Sequence, residues 1–263
     1  MLGKLLKYDL KNVYKVLVVF YSLVFIFSVL TRIFFSIDNS MLFSILAGIA
    51  SGVTISMLVS SLINGIMRSW ARFVISMYKD ESYLTHTLPV EKNTLYLSKV
   101  VTAVICSLTT VLFAVVCIFI AYYSTENMEK IKSALEIASN MYNISTAELI
   151  LLLSGVLFME ILFVILVGYV GIVIGHKSNK NKIAKSVLLG IIIYMGAQTV
   201  TLIITVIAGL LNPDIMSIIK SNDMPSVELF KYIMIAAVAV YTIYNVMLYA
   251  AGKRLLKKGV NVE

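Results

Sequence analysis

Six long apolar runs most constrain how this chain can fold. They lie near residues 16–37, 41–67, 95–123, 149–175, 187–211 and 229–252. About 20 helical residues cross the hydrocarbon core of a bilayer. Backbone polar groups in lipid need internal partners, and these runs lack the alternation of transmembrane strands. We therefore predict an all-α polytopic membrane protein, a single transmembrane domain over residues 1–263 with six transmembrane helices.

Composition excludes a soluble fold. The chain is 60% hydrophobic and 14% charged, whereas a soluble domain is roughly 45–50% apolar and about 25% charged. The net charge of +8 is not gathered into a basic face interleaved with aromatic residues, so we expect no nucleic-acid partner. Cys106 and Cys117 lie within one apolar run and are interpreted as small buried hydrophobes.

The positive charges lie in alternate connections of the chain. Lysines and arginines concentrate in the N-terminal arm, in the loops after the second and fourth runs, and in the C-terminal tail. The remaining connections carry more acids than bases. Cytoplasmic loops are enriched in Lys and Arg. This distribution predicts that both termini face the cytoplasm (N-in, C-in) in the cell membrane, with the bilayer as an obligatory partner.

No sequence pattern for catalysis or cofactor binding is present. The chain lacks a Gly-x-x-x-x-Gly-Lys-Ser/Thr phosphate loop and a His-Glu-x-x-His metal motif. His86 and His176 lie in different loops without Cys, Asp or Glu at ligand spacing. We predict a protein that is not an enzyme, with no catalytic residues, no metal site and no cofactor bound by this chain.

Glu160 lies about halfway along the fourth apolar run. An ionisable group there is costly and should face the bundle interior or water. Two interpretations stay open: a carboxylate that lines a path or couples transport, and a protonated acid hydrogen-bonded to a neighbouring helix. Three amides in other runs are expected mainly to bond between helices: Asn64, Gln198 and Asn245.

Local patterns predict packing and helix ends. Gly48-x-x-x-Gly52 and Gly171-x-x-x-Gly175 are typical of close helix contacts. Ser145-Thr-Ala-Glu148 predicts a capping box at the start of the fourth run. Residues 124–147 carry apolar positions at helical spacing among charges, so a short amphipathic helix and a solvated loop are both open there.

The loop of residues 68–99, between the second and third runs, is the most distinctive segment. Aromatic and aliphatic side chains, among them Trp70 and Phe73, alternate with charges, and Pro89 redirects the chain. This composition suits a short helix along the inner membrane face that offers an apolar surface to a partner. A solvated amphipathic turn without a partner is the competing interpretation.

Residues 79–99 read KDESYLTHTLPVEKNTLYLSK. This stretch resembles the first intracellular loop of bacterial type-2 ABC exporter permeases, in which an acid-x-x-Leu and a Leu-Pro-Val/Ile segment precede a Leu-x-x-x-Lys entry to the third span. The basic arm Leu5-Leu-Lys-Tyr-Asp-Leu-Lys11 is similar to the N-terminal interfacial helix of that family.

The resemblance implies the membrane-spanning permease subunit of an ATP-driven ABC exporter. It implies a separate cytoplasmic ABC ATPase, in which ATP and Mg would bind, and a homodimer or a heterodimer with a second permease. The loop would contain a cytoplasmic coupling helix, near residues 77–87, that contacts the ATPase. The residues assigned to this coupling loop are Met77, Tyr78, Lys79, Asp80, Glu81, Tyr83, Leu84 and His86.

Other functions stay open on the sequence alone. A self-sufficient secondary transporter, or a non-transporting membrane scaffold or immunity protein, would use the same helices. A largely apolar path with a few polar side chains would suit an amphipathic peptide, an antibiotic or another hydrophobic drug, or a lipid-like substrate. The polar side chains available for such a path are Tyr194, Gln198, Thr199, Tyr241, Tyr244 and Asn245.

Overall fold

The computed structural model describes residues 2–37, 41–79, 81–178, 180–212, 215–216 and 227–258, and its regular structure there is helical. The helices are α1 Leu2–Phe35, α2 Met41–Tyr78, α3 Ser82–Thr87, α4 Lys92–Tyr122, α5 Thr125–Met141, α6 Thr146–Gly175, α7 Lys182–Leu211 and α8 Val227–Lys257. Six of them are long and apolar enough to cross a membrane: α1, α2, α4, α6, α7 and α8. The predicted all-helical class is confirmed, and the number of candidate spans agrees with the six apolar runs.

Several helices continue well beyond the apolar runs. α1 begins at Leu2, within the basic arm, and α2 continues to Tyr78, past the end of its run at residue 67. With 38 residues, α2 is about 57 Å long at 1.5 Å per residue, against a hydrocarbon core of about 30 Å. These extensions contain no proline, so the helical hydrogen bonds continue after the hydrophobicity ends.

The described residues form two compact units, one within residues 1–130 and the other within residues 131–261. In the first, α1 packs against α2 and α4, and α2 also packs against α4. Hydroxyl groups join these helices: the Tyr14 hydroxyl lies 2.6 Å from Thr109 Oγ1, and Thr31 Oγ1 lies 2.9 Å from Thr54 Oγ1. Such bonds hold helices together where lipid supplies no hydrophobic driving force.

Both cysteines are buried in this first unit as free thiols. Cys106 packs with Val13 and Leu17 of α1, and Cys117 packs with Val24 and Leu58. Their predicted role as small buried hydrophobes is confirmed.

In the second unit, α6 packs against both α7 and α8. The predicted capping box begins α6: Ser145 Oγ accepts from the Glu148 amide, and the Glu148 carboxylate accepts from the Ser145 amide. α7 ends at Leu211, directly before the Asn212-Pro sequence, because proline cannot continue the helix.

The segment between α4 and α6 is the helix α5 and not an irregular loop. Leu135 and Ala138, on its part within the second unit, pack near Ile144 and Phe230. The Tyr142 and Phe230 rings stack with their centroids 3.8 Å apart. Of the two structures left open by the sequence, the amphipathic helix is the one observed.

Candidate functional site

A short helix, α3, connects the end of α2 to the start of α4. It occupies Ser82–Thr87 and ends at Leu88, whose backbone is extended (φ −64°, ψ 137°). Pro89 follows, and a residue before proline is disfavoured in the helical region. α3 is shorter than the helix predicted near residues 77–87, because Met77 and Tyr78 belong to α2.

A buried charge cluster lies at the base of this connection. The Asp9 carboxylate, only 2% exposed, accepts from Lys99 Nζ with both oxygens at 2.8 Å. Arg72 Nε also donates to Asp9, at 2.9 Å. Charges removed from water need paired partners with good hydrogen-bond geometry. Asp9 therefore joins the N-terminal turns of α1 to the end of α2 and the beginning of α4.

Glu81 extends this cluster to α3. Arg72 Nη1 lies 2.7 Å from the Glu81 carboxylate, directly before the first residue of α3. The hydrogen bond and positive charge of Arg72 hold the pKa of Glu81 below its ordinary value, against an opposing effect of partial burial. We define the charge cluster as Asp9, Arg72, Glu81 and Lys99; two carboxylates balance two cations, so it is neutral.

Part of the charge cluster could have been found in the sequence. Lys99 belongs to the motif that carries the resemblance, and Glu81 was assigned to the coupling loop. Asp9 and Arg72 were not singled out. The available signal was that Asp9 is the one acid among the first 37 residues, within an otherwise basic arm. A lone acid at such a place calls for a specific cationic partner.

The outer face of α3 is apolar and uncovered. Tyr83 is 71% exposed, Leu84 is 73% exposed, and Leu88 after the helix is 43% exposed. Met77 and Tyr78 are instead buried in the first unit. They lie outside this exposed surface because they occupy the inner side of the last turn of α2.

The remaining residues assigned to the loop have mixed surroundings. Lys79 and His86 are half-buried, and His86 Nε2 lies 3.1 Å from the Met77 carbonyl oxygen. Asp80 lies outside the described residues. We define the exposed surface of α3 as Tyr83, Leu84 and Leu88. Tyr83 and Leu84 are the most exposed of the described residues assigned to the coupling loop.

The amides predicted within the spans have different partners. Asn245 Nδ2 of α8 donates to the Met159 carbonyl of α6 at 3.1 Å, and this bond joins neighbouring helices. Gln198 is half-buried on α7. Asn64 Nδ2 donates to the Ser60 carbonyl of its own helix. Glu160 is exposed at the surface of the chain.

The two glycine pairs differ sharply. A Cβ added at Gly171 would lie 2.8 Å from the Ser186 carbonyl oxygen, and one at Gly175 would overlap the Ser186 backbone. These glycines therefore allow α6 and α7 to approach closely. Around Gly48 and Gly52, no described atom outside the local helix backbone lies within 4 Å of such a Cβ. That pair makes no close helix contact within the described part of the chain.

The fold defines the chain as a helical protein with six candidate membrane spans. A scan against protein-family models, a search of curated proteins and a search of solved structures find no match to it.

Proposed function

We propose that this chain is the permease subunit of an ATP-driven exporter of the type-2 ABC class, in the cell membrane with both termini in the cytoplasm. A separate ABC ATPase, which binds ATP and Mg, docks beneath it. A second permease, identical or related, completes the translocation path, and the substrate is amphipathic or hydrophobic. The chain itself performs no catalysis.

The observation that supports this proposal is the attachment of α3, with its exposed Tyr83 and Leu84, to three spans at once. Tyr83 and Leu84 extend outward from α3, whereas Glu81, at its start, is bonded to Arg72 and through it to Asp9. An exposed large apolar patch outside the bilayer is typical of a protein contact. The charged hydrogen bonds at the start of α3 attach it to the spans, as transmission of movement through α3 would require.

In the proposed mechanism, α3 transmits movement of the ATPase to the spans. Tyr83 and Leu84 fill an apolar groove on the ATPase, and the charge of Lys79 steers the encounter. Closure of the ATPase upon ATP binding displaces α3. Because Arg72, Asp9 and Lys99 connect α3 to α1, α2 and α4, these helices follow in a rigid-body change between two arrangements.

The test is affinity purification of the tagged chain from its native membrane, with mass spectrometry of the proteins that accompany it. A stoichiometric ABC ATPase is expected with the wild-type chain. The double variant Tyr83→Asp/Leu84→Asp should lose it, because two carboxylates would have to be desolvated at the contact.

The chain offers a matched control in α5. Ile131 and Ile137 are also exposed, at 53% and 62%, and lie on the opposite side of the membrane in the proposed topology. Ile131→Asp/Ile137→Asp should retain the ATPase. The absence of any ATPase from the gently extracted wild-type protein would count against the permease function.

A second candidate, a self-sufficient secondary transporter, is favoured by one observation. Glu160 is an exposed carboxylate within a span helix, and intramembrane acids commonly mark ion or proton pathways. Reconstituted vesicles that contain this chain alone would then accumulate substrate in response to an ion gradient. Transport that requires ATP and the ATPase would exclude this candidate.

A further inference from the structure

Glu160 lies at the middle of a span. It is 14 residues after Thr146 and 15 before Gly175, the ends of α6, or about 21 Å from the first and about 22 Å from the second at 1.5 Å per residue. An acid at the bilayer centre is costly unless a partner or water compensates it. The surroundings of Glu160 therefore indicate which group compensates its carboxylate.

No basic side chain compensates Glu160 among the described residues. The ion pairs found there involve Asp9, Glu81, Glu126 and Glu136, and not Glu160. In the second unit, the described lysines and arginines of α6, α7, α8 and their connections lie towards helix ends. Glu160 is also exposed. A carboxylate at this depth, without an internal cation, is available to a cation from outside the chain.

Aromatic side chains lie at the level of Glu160 in the second unit. Tyr241 lies one turn before Asn245 on α8, and Asn245 Nδ2 donates to the carbonyl of Met159, the residue next to Glu160. Tyr194 of α7 and Tyr244 of α8 lie at the same level. The Phe163 ring, one turn from Glu160 on α6, is at the centre of these tyrosines. Its centroid lies 5.8 Å from that of Tyr194, 5.6 Å from that of Tyr241 and 5.8 Å from that of Tyr244.

These side chains come from three helices at one level of the second unit. Tyr194 and Gln198 lie near the middle of α7, and Tyr241 and Tyr244 lie near the middle of α8. A small, largely apolar pocket bordered by Phe163, Ala197, Tyr244 and Met247 adjoins them. The arrangement combines one negative charge, several aromatic rings and apolar walls at mid-span.

We propose that Glu160 and the aromatic side chains at its level bind a monovalent organic cation with apolar substituents, such as a quaternary ammonium or phosphonium ion. The Glu160 carboxylate neutralises the cation, and the rings of Tyr241 and its neighbours accept its positively polarised alkyl or aryl groups. A hard metal ion would need about six oxygen ligands, far more than the described residues bring together here. An anionic lipid would be repelled by Glu160.

If the chain is an exporter as proposed above, this site specifies its substrates as cationic amphipaths. Binding to the isolated chain needs no ATPase, so it is measured separately from docking. Failure of one proposal is therefore distinguishable from failure of the other.

The test is equilibrium binding of radiolabelled tetraphenylphosphonium to the purified full chain in lipid nanodiscs. Wild-type protein should show saturable binding, and Glu160→Gln should weaken it by about tenfold or more, as loss of an ion pair in a low-dielectric site predicts. Tyr241→Leu should weaken it several-fold, whereas Tyr241→Phe, which keeps the ring, should change it little. Glu129→Gln, which removes an exposed acid from α5, should leave it unchanged.

A competition experiment uses only the wild-type protein, so its result does not depend on whether a variant folds. Unlabelled tetraphenylphosphonium should displace the probe, and the isosteric anion tetraphenylborate should not. The proposal would be overturned by absent saturable binding, by equal binding to a Glu160→Gln protein that elutes as wild type in size exclusion, or by equal displacement by the anion.

Discussion

Asp9 contributes more to the stability of the first unit than its single charge suggests. Its two oxygens accept from Lys99 and Arg72, and both of those cations are nearly excluded from solvent. A buried pair contributes little net stability, because desolvation offsets attraction, but removal of one partner leaves the other charge uncompensated. Loss of Asp9 would therefore be destabilising because Arg72 and Lys99 would stay buried without the carboxylate that they share.

Asp9→Asn should destabilise the protein by roughly 3–5 kcal/mol, the range for breaking a buried ion pair. The measurement is the midpoint of thermal unfolding of the purified protein in detergent. Glu126→Gln breaks an exposed pair with Lys130 and should leave the midpoint unchanged. Asp9→Leu/Lys99→Met should recover part of the loss, because it removes both charges. An Asp9→Asn midpoint equal to that of wild type would contradict this account.

Glu81 makes the stability depend on pH in a defined direction. Its pKa is lowered from 4.5 in the folded state by the hydrogen bond from Arg72. A lowered folded-state pKa stabilises the protein at pH values above the ordinary pKa, and this contribution disappears as the pH falls through the lowered value. At neutral pH, Glu81→Gln should therefore unfold at a lower temperature than wild type.

The difference between the two proteins should shrink as the pH falls below 4.5, because Glu81 of the wild type also becomes neutral. Paired thermal unfolding curves over a pH series provide the measurement. Both proteins keep Asp9, so the acid response of the rest of the molecule is the same in both and cancels in the difference between their unfolding temperatures. A difference that stays constant down to acid denaturation would show that the charge of Glu81 contributes nothing.

The contacts of a single residue could be predicted where both partners are close in the sequence. Ser145 and Glu148 form the predicted capping box because both lie within one turn. The contact of Asp9 with Lys99 spans 90 positions and depends on how α1 packs against α4, which no local pattern encodes. The same reason explains why the sequence could propose Tyr78 for a partner contact, whereas packing buries it.

Among the elements, the close contact of α6 with α7 depends on glycines, which have no side chain. Gly175→Ala places a methyl group against the Ser186 backbone, and such overpacking costs about 1–3 kcal/mol. Gly52→Ala has open space within the chain and is the matched control, since both changes add one Cβ to a helix. Thermal unfolding in detergent should separate the two variants clearly, with Gly52→Ala near wild type.

Equal destabilisation by both variants would contradict the packing assigned to α6 and α7. A selective loss of a dimer in Gly52→Ala, with unchanged unfolding of the monomer, would instead assign Gly48 and Gly52 to a contact between chains.

Helix existence was predictable from apolar length, but helix ends were not. Hydrophobicity measures the part of a helix in lipid, whereas the helix ends where backbone hydrogen bonds end. α2 therefore reaches Tyr78 although its apolar run stops near residue 67. α3 could be placed approximately because Pro89 limits it. The structure of residues 124–147 stayed open because the apolar residues of α5 are too sparse to decide between helix and loop.

At the scale of the whole molecule, the number of candidate spans follows from the sequence, but their grouping does not. The apolar runs look alike along the chain, whereas their packing divides them into a unit of α1, α2 and α4 and a unit of α6, α7 and α8. The first unit holds the charge cluster and the exposed surface of α3; the second holds Glu160 and its tyrosines. The proposed docking and cation-binding functions thus fall on separate units, and each can be disrupted alone.

The proposed orientation of all six spans can be tested with introduced cysteines. Cys106 and Cys117 are fully buried, so an impermeant maleimide should give little background. Because positive loops stay in the cytoplasm, Thr87→Cys and Lys180→Cys should react in inside-out vesicles and be protected in intact cells. Glu129→Cys on α5 should show the reverse. Labelling of Lys180→Cys in intact cells would show that the topology is inverted. α3 would then lie outside the cytoplasm, where no ATPase could reach it.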